Sequence, residues 1–262
     1  MEETGRIWSR VTKTSIQGGV EIPVSSAKPV ATWVAAGTAA RTVADKQKKV
    51  VNAKISFNYH KLQVRVAVEL VASVVALPVF EQTISDNIAE AMVKALDKAI
   101  LLGTGGGEPL GITNHNVPFV SLAPSEFGKY TTWPTVFAKV PRSYRSGMVL
   151  ILNDADWHRH IVGMVDSTGQ PVARVNYGLD GSIEERFLGR EVIAVEDLLL
   201  SIDEASVGDV VGILVRLEDY MVNSNMAITY RRYFDENTDE WISKATMIAD
   251  GKLADPNGVV LI

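Results

Sequence analysis

Apolar residues recur every three or four positions between Ile84 and Leu102, which is the spacing of one face of an α-helix. Thr83 or Ser85 can cap the start of this helix, and Gly103 can close its end in a left-handed conformation. At about 1.5 Å per residue the helix would be about 28 Å long. A helix of that length can run the full length of a domain.

Two segments, residues 30–36 and 50–75, have the pattern of long strands. In the second segment apolar and polar residues alternate up to Tyr59, and from Leu62 they alternate in the opposite phase. Such a change of phase predicts a β-bulge close to His60. Because the two strands bracket a basic stretch of chain, we expect a long hairpin with a charged tip.

The remaining segments predict a mixed α+β fold. Residues 1–32 combine glycine and proline with apolar anchors such as Trp8 and Ile22, so we expect an extended arm that packs on another surface. Beyond Gly111 short helices and strands are mixed. The predicted helices are 133–142 and 155–165; the predicted strands are 148–152, 191–195, 210–215, 227–234, 241–248 and 259–262; the predicted turns are 166–169 and 250–251.

Composition narrows the class of protein. The chain has 262 residues, of which 47% are hydrophobic and 22% are charged, as in soluble globular proteins with a proper core. It has no cysteine, which excludes a disulfide framework, a thiolate metal site and a cysteine nucleophile. The longest apolar run is broken by Arg65 and Glu69, and the first residues lack the apolar stretch of a secretory signal. We therefore expect a soluble intracellular protein.

Charge is segregated along the chain although the net charge is only -5. Residues 41–61 are basic with the single acid Asp45, whereas residues 180–209 and 235–240 are acidic. Opposite charges segregated in this way can steer copies of a chain together, and solvated faces are the alternative. The candidate inter-subunit residues are Arg41, Lys46, Lys48 and Lys49 on the basic side and Asp235, Glu236, Asp239 and Glu240 on the acidic side.

Motifs for catalysis or cofactor binding are weak. The glycine run 103–107 closes a helix, whereas a phosphate-binding loop would open one. Asp154, Asp156, His158 and His160 could hold a metal if the segment were a strand, but the following residues continue at helical spacing and would separate the two histidines. A metal-dependent enzyme centred on this segment stays as an alternative. The sequence predicts no catalytic residue, no cofactor and no enzyme.

Several short segments in a fixed order carry a resemblance to a known family. They are Gly18 to Val24 followed by Ala31 to Val34, Ile55 to Phe57 and Leu70 to Ser73, Leu101 to Gly105, Glu108 to Ile112, Leu152 to Trp157, Asp166 to Pro171, and Asp250 to Lys252 with Asp255-Pro256. With these segments the chain resembles the major capsid proteins of tailed bacteriophages, the Hong Kong 97 type, over nearly its whole length.

The resemblance implies an architecture and an assembly. It implies an N-terminal arm at 1–32, an extended E-loop hairpin at 33–75, a P-domain with a long spine helix at 76–109 and 218–250, and an A-domain at 110–217 and 251–262. It also implies hexamers and pentamers that close into an icosahedral virion shell around double-stranded DNA in the host bacterial cytoplasm. The expected partners are further copies of the chain, a portal, a scaffold or protease, and in some members a decoration protein, with no membrane.

Two departures from the family pattern qualify these expectations. Some members cross-link an E-loop lysine to a P-domain asparagine with the help of a glutamate, but the corresponding positions here are close to Asp239 and Thr246. We therefore expect a shell without that covalent bond. Many members also begin with a scaffolding segment, whereas Met1 opens almost directly on the arm, so either a processed chain or a separate scaffold is expected. An encapsulin, a nanocompartment shell of the same fold that packages enzymes, is the alternative.

Overall fold

A computed structural model of the chain describes residues 5–16, 21–24, 53–69, 78–177 and 183–262. The strands are β1 (Thr12–Thr14), β2 (Glu21–Val24), β3 (Ala53–Ser56), β4 (His60–Glu69), β5 (Val149–Asn153), β6 (Ala173–Tyr177), β7 (Ile183–Phe187), β8 (Arg190–Val195), β9 (Gly212–Val215), β10 (Tyr220–Asp235), β11 (Glu240–Leu253) and β12 (Val260–Leu261). The helices are α1 (Pro78–Leu102), α2 (Pro124–Phe127), α3 (Trp133–Ala138) and α4 (Asp154–Asp156); a π-helical segment follows at Trp157–Ile161, and 3-10 turns lie at Ile112–Asn114, Arg142–Tyr144, Leu217–Asp219 and Pro256–Gly258. This is the α+β class that the sequence predicts.

The long helix α1 packs on a four-stranded sheet of order β1-β10-β11-β4. Strand β1 runs parallel to β10, and the other neighbours are antiparallel. Met92 of α1 is fully buried, and Ala245 and Met247 of β11 face the same core together with Val64 of β4. The opposite face of this sheet is therefore turned away from the helix, because successive side chains in a strand alternate between faces.

The central strands of a second, six-stranded sheet are buried on both faces. Its order is β12-β9-β5-β8-β7-β6, with β5 parallel to β8. Ile151 and Ile213 share the core of α1, whereas their neighbours Leu150 and Leu214 belong to a second core. Continuous apolar runs such as Val149 to Leu152 are typical of strands covered on both sides.

Three aromatic side chains form the centre of the second core. The ring of Trp133 lies 5.2 Å from that of Phe127 and 5.0 Å from that of Phe187, in edge-to-face geometry. All three are completely buried, and the indole N–H of Trp133 donates to the carbonyl oxygen of Phe127 at 2.8 Å. These rings join α2 and α3 to the six-stranded sheet.

The phase change near Tyr59 has a different cause from the predicted bulge. Strand β3 pairs with β2, Ile55 lying opposite Ile22, whereas β4 pairs with β11. The chain therefore passes from one sheet to another between Ser56 and His60, and the inward face changes with the sheet. The predicted partner strand, residues 30–36, lies outside the described residues.

Other boundaries also differ from the predictions. Helix α1 begins at Pro78, before the predicted start at Ile84. The predicted turn at Asp250-Gly251 is wrong, because both residues lie within β11 and pair with β10. The predicted helix 155–165 is a short α-helix that continues as a π-helical segment and ends at Ile161. The sequence does not predict strands β6 and β7. The predicted turn at 166–169 is present, and the side chain of Asp166 accepts a hydrogen bond from the N–H of Thr168 at 2.7 Å.

None of the helices in the described part of the chain is both long enough and apolar enough to cross a membrane.

Candidate subunit interface

The four predicted acidic residues lie together at the end of the β10–β11 hairpin. Asp235 and Glu240 are opposite each other at the last pair of the ladder, and Glu236 and Asp239 are exposed in the connecting turn. The carboxylate of Asp235 accepts from the backbone N–H of Asn237 at 3.0 Å, and Asp239 adopts a left-handed φ of 52°. None of the four carboxylates forms an ion pair with a described residue, so the hairpin ends in a cluster of negative charge that no cation in the described part of the chain pairs with.

Large apolar side chains are also exposed near this end of the hairpin. Ile228, Tyr230 and Tyr233 of β10 are 49%, 45% and 39% exposed, respectively. On the same strand Arg232 stacks over the ring of Trp241 at 4.8 Å. Because side chains alternate along a strand, Tyr230 and Tyr233 lie on opposite faces, so both faces of the hairpin carry exposed aromatic surface.

The basic partners predicted for this cluster, Arg41, Lys46, Lys48 and Lys49, lie outside the described residues. The structure does describe the two strands that flank them, β2 and β3, which pair with each other from Glu21 opposite Ser56 to Val24 opposite Ala53. Val24 and Ala53, the described residues on either side of 25–52, are therefore opposite each other at one end of a two-stranded ladder.

Side chains of β11 hold the point where the chain passes from β3 to β4. The carboxylate of Asp250, which is 1% exposed, accepts from the backbone N–H of Asn58 at 2.6 Å. The ammonium group of Lys252 donates to the carbonyl oxygen of Ser56 at 2.6 Å. His60 Nε2 lies 3.6 Å from the same carboxylate of Asp250. The ladder that flanks residues 25–52 is thus anchored on the four-stranded sheet.

Acidic side chains hold the N-terminal segment. Asp97 of α1 accepts from the backbone N–H groups of Gly5 and Trp8 at 2.9 and 2.7 Å. Burial raises the pKa of the Asp97 carboxyl, and these two hydrogen bonds oppose that rise. The guanidinium of Arg10 binds the carboxylate of Glu191, and this hydrogen bond lowers the pKa of Glu191.

Part of the acidic stretch 180–209 therefore serves the fold. Besides Glu191, Glu185 is a buried residue of β7, where burial raises its pKa and the positive charge of Arg6 opposes the rise. Glu191 thus pairs with Arg10 of its own chain, and buried Glu185 experiences the charge of Arg6. The interpretation of this whole stretch as a surface that attracts other copies is accordingly too broad.

The four residues considered as metal ligands do not converge. The buried carboxylate of Asp156 accepts from the hydroxyl of Ser201 at 2.6 Å and from the N–H of Ile202 at 2.8 Å. His158 instead faces Asp154 at 3.5 Å on the exposed side. His160 turns towards Asp203, 3.4 Å away, and ligand atoms of Asp156, His160 and Asp203 lie within 4.8 Å of one another. Asp156 is hydrogen-bonded to the loop after β8. The three residues Asp156, His160 and Asp203 therefore join α4 and the π-helical segment to that loop.

The glycine run after α1 forms a tight return of the backbone. The N–H of Gly111 donates to the carbonyl oxygen of Gly103 at 2.8 Å. A Cβ atom on Gly103 would lie 2.1 Å from the carbonyl oxygen of Pro109, so this position requires glycine. The run closes the helix, as the sequence predicts, and its amides do not open a helix.

The comparison with protein families decides the class of this protein. The family model described as the phage capsid family matches residues 1–262. The chain belongs to the phage capsid family. As a member of this family it is a structural protein, the major capsid protein of a phage head, and its place is the virion. No curated protein sequence matches the chain significantly.

Solved capsid structures share the fold of this family member. The capsid of an empty GTA particle matches with a TM-score of 0.75 at 13% identity, covering 100% of this chain and 90% of that chain. A chain of Gordonia phage Cozz matches with a TM-score of 0.67 at 15% identity, covering 99% and 86%. A chain of Mycobacterium phage Adephagia matches with a TM-score of 0.62 at 14% identity, covering 98% and 88%. These matches confirm the predicted capsid fold and give no support to the encapsulin alternative.

Proposed function

We propose that this capsid protein assembles into hexamers and pentamers that close an icosahedral head around double-stranded DNA, in the manner of the Hong Kong 97 type. The observation that carries this proposal is the β10–β11 hairpin, whose end exposes both aromatic residues and uncompensated carboxylates in a member of the phage capsid family. The free energy falls when a second copy covers apolar surface of this kind. Head-to-tail contacts that close on themselves produce rings.

We also propose that the chain is divided into an arm, a loop and two domains. Residues 1–32 serve as an arm, 33–75 as the E-loop, 76–109 with 218–250 as the P-domain, and 110–217 with 251–262 as the A-domain. The anchoring of Ser56 and Asn58 on Lys252 and Asp250 supports this division, because it ties the end of β3 to the sheet that carries the hairpin.

We further propose that the basic residues of the E-loop lie against the acidic hairpin end of an adjacent subunit. Arg41, Lys46, Lys48 and Lys49 supply the cations, and Asp235, Glu236, Asp239 and Glu240 supply the carboxylates. The support is that these four carboxylates lie together without a cationic partner among the described residues. Assembly takes place in the host bacterial cytoplasm with a portal and a scaffold or protease, and the DNA makes non-specific contacts.

Sedimentation velocity of the purified chain at low and high salt tests the assembly. The proposal predicts particles far larger than a monomer, with nucleic acid present in heads taken from infected cells. The triple reversal K46E/K48E/K49E tests the E-loop pairing: assembly at low salt should fall sharply, because ion pairs at interfaces weaken when one partner changes sign. Normal assembly of this variant at low salt would refute the pairing, and a chain that stays monomeric with its scaffold present would refute the shell.

A further inference from the structure

Three cations lie in one row across the four-stranded sheet. Arg231 of β10 is opposite Lys244 of β11, and Lys244 is opposite Arg65 of β4. Neighbouring strands lie about 4.8 Å apart, so the row places three positive charges within about 10 Å. Lys61 extends the same face of β4 four residues away. We call Lys61, Arg65, Arg231 and Lys244 the cationic band.

The cationic band lies on the sheet face that is turned away from α1. In β11, Ala245 and Met247 alternate with Lys244 and Thr246, and both Ala245 and Met247 are buried against the helix. Arg65 and Arg231 are exposed. Burial beside its neighbours, and then the charges of Lys61, Arg65 and Arg231, lower the pKa of Lys244. Like charges at directly opposite positions destabilise a sheet. Among the described residues no carboxylate forms an ion pair with any member of the band.

A row of acids lies on the same face, four residues further along the strands. Asp235 is opposite Glu240, and Glu240 is opposite Glu69 in the register. Four residues of an antiparallel strand span about 13 Å, which is far beyond the 4 Å of an ion pair. Among the described residues, no ion pair joins the acids at 235 and 240 to the cationic band of the same copy. They give one face of the sheet a positive zone and a negative zone.

We infer that this face is self-complementary and that the cationic band of one copy binds Asp235 and Glu240 of a second copy. The inference rests on the proposed self-assembly and adds a second cationic group to it, distinct from the E-loop. It divides the acidic cluster: Asp235 and Glu240 on the ladder bind the band, and Glu236 and Asp239 in the turn are left for the E-loop. Arginine suits this contact because its guanidinium can bind a carboxylate with two parallel hydrogen bonds. The partner is a second copy because the chain itself carries matching carboxylates on the same face, four residues along the strands from the band.

A set of charge exchanges tests the inference. The variant R231E/K244E reverses the charge of two of the four cations in the band and should reduce shell formation at least tenfold at low salt. The variant D235K/E240K reverses the two carboxylates that the band binds and should have the same effect. The combined variant exchanges the charges at these four positions, so that they can pair again between copies, and should recover shells. Shells are counted by electron microscopy and light scattering, and circular dichroism of the unassembled subunits verifies that each variant folds.

Two controls separate this contact from others. K98E/K139E changes the same net charge at exposed positions outside the sheet and should leave assembly unchanged. E236K/D239K reverses the turn carboxylates that the E-loop proposal also uses and should not rescue R231E/K244E.

The outcomes distinguish this inference from the proposed function. Normal shells from R231E/K244E, or no recovery in the combined variant, would overturn the inference while wild-type shells uphold the proposed function. A wild-type chain that forms no shells with its scaffold would overturn both. If R231E/K244E forms normal shells but binds a 30-base-pair DNA duplex more weakly, the band contacts nucleic acid and the inference is wrong.

Discussion

The carboxylate of Asp250 accepts a hydrogen bond from the backbone N–H of Asn58 at 2.6 Å and so ties the crossing between two sheets to the middle of β11. The other carboxylate oxygen accepts from the N–H of Gly251 at 2.8 Å. A single buried side chain thereby holds the point at which the chain enters the four-stranded sheet.

Replacing Asp250 should loosen this crossing. D250A leaves the N–H groups of Asn58 and Gly251 without their acceptor and should cost about 1–3 kcal/mol of unfolding free energy. D250N keeps one oxygen acceptor and should lose less. Urea denaturation measures the loss, and amide hydrogen exchange should be fastest at Asn58. E236A, an exposed acid, is the control; equal stability of D250A and E236A would contradict this assignment.

Gly103 should tolerate no side chain. Its Cβ would meet the carbonyl oxygen of Pro109 at 2.1 Å, a contact that the backbone must shift to relieve. G103A should therefore destabilise the fold by more than about 1 kcal/mol, as substitutions that force backbone shifts do. G163A is the matched control, since nothing lies within 4 Å of its Cβ, and it should be neutral or stabilising by up to about 1 kcal/mol. Thermal melts that rank the two variants in the opposite order would contradict the close approach.

Trp133 should be a major source of stability in the second core. W133A removes a completely buried ring from contact with Phe127 and Phe187, and large-to-small changes of this kind cost about 3–5 kcal/mol. F119A is the control, because Phe119 is 76% exposed, and it should change stability by less than about 0.5 kcal/mol. Chemical denaturation followed by circular dichroism compares the stability of the two variants. A loss of unfolding free energy in W133A as small as that in F119A would show that residues other than Trp133 stabilise the second core.

His115 should make stability depend on pH. Its Nε2 accepts from the backbone N–H of Leu253 at 3.2 Å. Burial and the charge of Lys252 lower the pKa of His115 below the ordinary 6.5. The unfolded chain therefore binds the proton first, so this contribution is complete above pH 6.5 and is lost as the pH falls through the folded pKa.

The measurement for His115 is the urea midpoint at pH 7.5 and pH 5.5. Between these values H115Q should lose less stability than the wild type, because glutamine can still accept a hydrogen bond but does not titrate. An identical loss in both proteins would assign the pH dependence to other groups.

The sequence predicts those helices and strands in which the hydrophobic pattern reflects burial in the core. Helix α1 follows from the spacing of Ile88 and Met92 against one core, and β5 follows from its continuous apolar run. Strands β6 and β7 escape prediction because polar residues occupy half of their positions and each strand has only five residues. The turn predicted at Asp250-Gly251 fails because residue type alone does not show that the carboxylate serves Asn58 within a long strand.

The acidic cluster could be found from the sequence because its four residues are close along the chain. The cationic band could not, since Arg65 and Arg231 are brought together only by the register of β4, β11 and β10. The alternation of Lys61, Gln63 and Arg65 with apolar residues indicates an outward polar face, but it does not reveal which charges lie opposite them. The structural roles of Glu185 and Glu191 could not be predicted either, because they depend on the charges of the N-terminal segment.

Negative-stain electron microscopy of the purified protein, with its scaffold supplied if required, shows whether the chain builds a capsid shell. We expect closed shells, or rings of five and six subunits, at low salt, and fewer of them at high salt, because segregated charges steer the copies together. A monodisperse monomer or dimer under all of these conditions would contradict it.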